Sequence, residues 1–123
     1  MTVTTYYRWA FINSCGTVYG AVTTITVYPA LVGGKIGSNA TLCSGATQPA
    51  IIELIAPTGG LAPYSYSWEI SYDKGATWTT IPGAINSTYT PTPEINPGMV
   101  DIYVFYRRWV TSSGGCGSVI SNY

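Results

Sequence analysis

The chain has 123 residues, enough for one ordinary hydrophobic core and too few for two full domains. Five basic and five acidic side chains, no histidine and 8% charged residues leave no electrostatic footprint for nucleic acid or an anionic membrane surface. Eleven tyrosines, fourteen glycines and eight prolines favour strands and turns, no sustained helical period is present and no apolar run is long enough to be membrane-embedded, so the expected fold class is all-β.

In chain order, TVTTYYRWAFI (2–12) reads as a strand with apolar residues on both faces, Asn13 to Gly16 as its turn, and TVYGAVTTITVY (17–28) as the returning strand. PALVGG (29–34) is a Pro/Gly segment that no regular element tolerates and is expected to be a linker. From Lys35 a polar stretch leads to ATLCSG, then PAIIELIAP, then the loop TGGLAP. Tyr64, Tyr66, Trp68, Ile70 and Tyr72 then alternate with Ser65, Ser67, Glu69, Ser71 and Asp73, the period of a strand with one apolar face. Asp73 to Ala76 form the turn: the Asp carboxylate can accept N–H bonds just ahead of it, and Gly75 can adopt positive φ. The return strand carries Trp78. Beyond Pro82, GAINSTYTP is a short strand, PTPEINPGM a loop, VDIYVFYRRWVTS the longest strand candidate, and SGGCG turns it into SVISNY.

Ser71, Asp73, Gly75, Thr77 and Trp78 match S-x-D-x-G-x-T-W, and the hairpin therefore resembles the Asp-box of sialidases and other secreted β proteins. In those families the box is a folding device, which implies a structural role for these five residues.

The end of the chain repeats its beginning. Tyr6, Arg8 and Trp9 correspond to Tyr106, Arg108 and Trp109, and Cys15, Gly16 and Val18 to Cys116, Gly117 and Val119, with one residue inserted in the second turn. Self-similarity at a long fixed period marks an array of modules. One repeat cut out of phase is expected: residues 1–28 the terminal hairpin of a preceding repeat, or donated strands; 29–34 the linker; 35–123 a repeat lacking its last strand. Taken with GGKIGSNATLCSG, the Y-S-Y-S-W strand, DKGATWTTIPGA, STYTPT, Y-x-R-W and CGSVISN, the pattern resembles the immunoglobulin-like tandem repeats of very large cell-surface and gliding-type adhesins of Bacteroidota. That resemblance implies an Ig-like antiparallel β-sandwich of Greek-key topology, extracellular display on a bacterial cell surface and type IX secretion. Its partners would be neighbouring repeats or copies of itself, head to tail. Met1 is followed by no basic and apolar signal segment, so a signal is expected elsewhere in an exported parent.

On that modular cut, a complete unit holds Cys43 and Cys116, which implies a disulfide between them and leaves Cys15 unpaired or intermolecular; Cys15 with Cys43 is the competing pairing. Trp68, Tyr106 and Trp109 are the expected core aromatics.

Enzymatic activity is not expected. There is no His, the acids Glu53, Glu69, Asp73, Glu94 and Asp101 lie on separate elements, and no nucleotide-binding or catalytic motif appears. No cofactor or metal is called for; Asp73 or Asp101 with backbone carbonyls would be the only approach to a Ca²⁺ site. Arg8, Arg107 and Arg108 are expected to lay their stems over aromatic neighbours rather than clamp a ligand. Lys74 at a hairpin tip and Lys35 are poorly placed for an isopeptide. Seventeen aromatic rings exceed one core's needs, so a surface glycan is a further candidate partner and a carbohydrate-binding module the alternative function.

Overall fold

The computed structural model describes residues 2–37 and 39–123; Met1, and Ser38 within the GGKIGSNATLCSG stretch, lie outside them. All regular structure among the described residues is β, and every ladder is antiparallel.

Residues 3–27 form one long ribbon. β1 (Val3–Tyr7) pairs with β4 (Thr23–Val27), and β2 (Ala10–Asn13) pairs with β3 (Gly16–Tyr19). Between Tyr7↔Thr23 and Ala10↔Tyr19, the residues Arg8 and Trp9 face Gly20, Ala21 and Val22. The extra residue makes a bulge that breaks the single strand expected over 2–12. A Cβ at position 20 would collide with the Trp9 indole, so the kink needs glycine there. At the tip, Asn13 Oδ1 accepts the Cys15 amide at 2.8 Å and Gly16 takes φ 136°, closing a tight turn.

Among the described residues, no strand packs beneath this ribbon. None of its described residues is buried, and among the described residues no hydrogen bond joins 2–28 to the rest of the chain. A two-stranded ribbon in this condition has little stability of its own.

The second body begins with β5 (Lys35–Gly37), which pairs with β6 (Ile52–Ile55); bridges Val32↔Thr58 and Ile51↔Tyr89 extend that layer. β7 (Tyr64–Ser71), β8 (Thr79–Thr80), β9 (Phe105–Ser112) and β10 (Ser118–Ile120) form a four-stranded sheet in the order β10-β9-β7-β8. Its centre is the β7/β9 ladder, in register from Tyr64↔Ser112 to Ser71↔Phe105. Two expected strands are shorter than the sequence suggests. GAINSTYTP contributes only the Tyr89 bridge, because its carbonyls turn to side chains: Asn86 O accepts Trp68 Nε1 at 2.8 Å and Ser87 O accepts Arg108 Nη1 at 2.8 Å. VDIYVFYRRWVTS becomes a strand only from Phe105, where β7 is alongside to receive it.

The core lies between the two layers. Trp68, Arg108 and Val110 are fully buried and Leu31 and Ile36 nearly so. Leu31 and the buried Gly33 show that residues 29–34, expected as a linker, pack into this body. Tyr89 bridges Trp68 and Tyr106, with ring centroids 5.6 and 5.9 Å away. Alternation on β9 sends Arg108, Val110 and Ser112 inward and Trp109 outward. Trp109, expected in the core, therefore lies on the opposite face from Trp68. Two facing antiparallel layers around one interior fit a small β-sandwich.

The expected Cys43–Cys116 disulfide is not formed, nor is Cys15–Cys43: all three cysteines are free and exposed. Cys43 lies at the end of the sandwich where Gly45 bonds Glu94 and Glu94 meets Tyr72. Cys116 lies on the β9–β10 turn, at the other end, near Leu61 and Ser112. The eight-residue strands β7 and β9 stand between them. At about 3.3 Å per residue that is far beyond the ~7 Å Cα separation a disulfide can span.

Candidate functional site

The Asp-box residues come together as the sequence motif implies. Ser71 Oγ donates to Asp73 Oδ1 at 2.7 Å and accepts the Gly75 amide at 2.8 Å; Asp73 Oδ1 also accepts the Thr77 amide at 2.8 Å, and Thr77 Oγ1 donates to Oδ2. Trp78 Nε1 donates to Gly75 O at 3.1 Å and closes the turn. Gly75 takes φ 86°, as expected, and Lys74 takes φ 58° before it. Hydrogen bonds from Thr77, first its hydroxyl and then its amide, hold the Asp73 carboxyl down at about 2. Both carboxylate oxygens are already engaged inside the turn. The site is a clasp on the chain, and its chemistry is spent there.

Outside the sheet, the Arg107 guanidinium sits 4.3 Å from the Trp78 ring centroid and 5.6 Å from that of Trp109, while Glu69 accepts from both Arg107 Nε and Trp109 Nε1. Arg8 lies 3.7 Å over the Tyr19 ring. Both arginines behave as stems and cations laid on aromatic faces.

Arg108 also lies over a ring, 5.0 Å from the Tyr66 centroid, and it does more. Fully buried, it gives Nη1 to Glu53 Oε2 at 2.7 Å and to Ser87 O, Nη2 to Gly33 O at 3.1 Å, and Nε to Ser121 Oγ at 3.2 Å. The sequence did carry a signal for this. Arg108 alternates with Tyr106 and Val110, and Glu53 is the one acid inside the apolar run IIELI, so each charge stood at a position that burial would leave in need of a partner.

Two surfaces remain with exposed apolar groups. The first is the ribbon, where Tyr6, Tyr7, Trp9, Phe11, Ile12 and Val18 are all more than half exposed. The second is a groove of about 500 Å³ at the Cys43 end of the sandwich, lined among others by Ile36, Leu42, Ile51, Ile102, Phe105 and Tyr123, with no charged side chain in its walls. Tyr123 stacks on Phe105 at 5.9 Å. Asn122 bonds both Ile36 N and Ile36 O, drawing the last residues toward β5. β10 pairs with β9 only across Trp109–Thr111, and Ser121 N reaches Arg108 O; over Phe105–Arg107 that edge of β9 has no strand partner among the described residues.

No group of three or more His, Cys, Asp and Glu side chains converges among the described residues. Asp101 is on an exposed loop and Lys74 lies 4.9 Å over the Tyr103 ring.

Residues 32–123 match the model of a family described as a domain of unknown function, DUF8696. No curated protein and no solved structure matches the chain.

Proposed function

This chain belongs to the DUF8696 family, and we propose that it is a structural, adhesive module of a bacterial surface adhesin or filament, working extracellularly and associating head to tail with its own kind. The observation that carries this reading is an asymmetry between two copies of one hairpin sequence. In the second copy, Arg108 and Val110 are at zero exposure inside a core; in the first, their counterparts Arg8 and Ala10 are exposed, and none of the described ribbon residues is buried. A sequence able to lie against a sandwich is held out with both faces in solvent. Exposed apolar strands of this size mark an interaction surface.

The sandwich itself supports an immunoglobulin-like Greek key. In the sheet order β10-β9-β7-β8, the chain leaves the β7–β8 hairpin, crosses, and returns on the other side of β7, as strands C, C′, F and G do in that fold. On that reading, the buried Trp68 on β7 would correspond to the strand-C tryptophan. On the same reading, the Glu53–Arg108 pair between β6 and β9 would correspond to the inter-sheet disulfide of antibody domains.

Light scattering and sedimentation over a concentration series test the reading. Open-ended association that is reduced by Trp9→Glu or Ile25→Glu, both on exposed ribbon positions, is expected. A strict monomer at high concentration would refute self-association.

A second reading has an observation of its own. Tyr6, Tyr7, Trp9 and Tyr19 are exposed rings of the kind that stack on sugars, which supports a carbohydrate-binding module. Tyr6 and Tyr7 point to opposite sides of the ribbon, however, and a sugar platform needs one face. Binding on a glycan array that is lost in Trp9→Ala would favour this alternative.

A further inference from the structure

We infer that the cleft between the end of β7 and the 89–94 segment is a binding site for a small quaternary ammonium cation of the choline class. This goes beyond the self-association proposed above and does not depend on it. The cleft holds about 240 Å³, and all its walls come from residues 70–106 of the sandwich. Pockets for drug-sized ligands run to ~300–1,000 Å³, so this one suits a head group of a few atoms. Tyr72, Tyr89, Tyr106 and Glu94 line it, with no lysine or arginine in the wall. Tyr106 is the Cα partner of Ile70, two places along from the buried Trp68↔Arg108 pair, and strand parity turns both toward the interior. Tyr89 comes from the facing layer, held there by its bridge to Ile51. Its ring centroid is 5.9 Å from that of Tyr106, with the planes at 45°. Two rings so inclined form a corner in which one cation can lie within ~6 Å of both centroids. Tyr72 adds a third ring, its hydroxyl donating to Glu94 Oε1 at 3.2 Å.

Charge selects the kind of ligand. Glu94 belongs to neither of the ion pairs formed among the described residues. Burial first, and then the Glu94 charge, raise the Tyr72 and Tyr106 hydroxyls, so the carboxylate's field reaches across a cleft that holds no cation to answer it. Hydrogen bonding narrows the choice further. A primary ammonium brings three N–H donors that need acceptors. The carbonyls of Ile81, Tyr89, Thr92 and Glu94 already accept from Ala84, Ile51, Gln48 and Gly45. A quaternary ammonium has no N–H to leave unpaired and is drawn to ring faces by its charge alone. A cation tied closely to a carboxylate or phosphate finds no positive partner in these walls and would bring its anion toward Glu94.

The test titrates choline chloride into the full chain at constant ionic strength, followed by calorimetry and by amide NMR shifts. The uncharged tert-butyl analogue of choline and glycine betaine run alongside. Saturable choline binding is expected, with shifts at Tyr72, Tyr89 and Glu94. The neutral analogue should bind about tenfold more weakly, and betaine more weakly than choline. Glu94→Gln and Tyr72→Ala, the second at a position 63% exposed, should each weaken choline about fivefold or more with the thermal midpoint kept. Tyr72→Phe, which keeps the ring, should retain most of the affinity. Equal affinity for choline and its neutral analogue, shifts confined to the outer sheet face around Trp78 and Trp109, or no saturable shift at high millimolar choline would each overturn the inference. Choline binding that both Glu94→Gln and Tyr72→Ala leave intact would overturn it as well. Phosphatidylcholine vesicles carry the same group beside a phosphate and are expected not to sediment the chain; sedimentation abolished by Glu94→Gln would replace the free cation with a lipid head group.

Discussion

Arg108 on β9 and Glu53 on β6 meet at 2.7 Å across the interior, joining the two layers of the sandwich beside Trp68, whose Cα partner across the ladder is Arg108 itself. The guanidinium has no exposure and the carboxylate keeps 24% of its own. Such a pair adds little over a well-packed apolar substitute, but removing one member strands the other. Arg108→Ala and Glu53→Ala should each cost about 3–5 kcal/mol, whereas Glu69→Ala, which breaks the outer pair with Arg107, should cost about 1 kcal/mol or less. A double change to Arg108→Met with Glu53→Leu should recover most of the loss. Urea denaturation of the four variants checks the ranking.

The two bodies differ in what their aromatics support. Trp68 is fully buried among Tyr89 and its neighbours, so Trp68→Ala should destabilise by about 3–5 kcal/mol. Trp9 touches Gly20 and solvent, and Trp9→Ala should leave the midpoint of the main transition within about 0.5 kcal/mol of the parent. Measured at low chain concentration, equal losses at the two positions would contradict an unsupported ribbon.

Acid should loosen the Asp-box clasp in a defined window. The Asp73 carboxyl is held from 3.8 down to about 2 in the folded chain, so its contribution is complete above the unfolded value and disappears as pH falls through about 2. Melting temperature followed between pH 5 and pH 2 should fall less steeply in Asp73→Asn than in the parent.

At the alkaline end the sign reverses. Burial, helped by the Glu94 charge, lifts Tyr106 to about 12, and burial and Glu94 also raise Tyr72. A folded value above the unfolded one gives stability that is complete below pH 10 and lost as pH rises toward 12. Tyr106→Phe should flatten that limb of the stability profile.

The thiols offer a direct check on the fold. Cys15, Cys43 and Cys116 are all exposed, so a disulfide-exchange reagent should titrate all three in the native chain. A tryptic peptide linking Cys43 to Cys116 within one monomer would be incompatible with their places at opposite ends of the sandwich.

Much of this was readable in the residues. The alternation from Tyr64 to Ser71 and the S-x-D-x-G-x-T-W clasp are local, and local patterns survive folding. The all-β class followed from composition. What escaped was set by tertiary neighbours. GAINSTYTP is strand-like by composition, but Trp68 and Arg108 take its carbonyls. Counting cysteines per repeat gave a pairing that the length of β7 and β9 forbids. Trp109 was placed inside because its aromaticity was read without its parity on β9. Arg108 was expected over aromatic neighbours and lies 5.0 Å over the Tyr66 ring; its burial and its pairing with Glu53 were not foreseen, because they depend on which strand faces it across the interior.

Pro29 O accepts the Gly60 amide, so the ribbon is rooted at the Leu61 and Ser112 pole, while the groove opens beside Phe105 and Tyr123 at the far pole. A molecule with an uncovered ribbon at one tip and an apolar groove at the other has a front and a back.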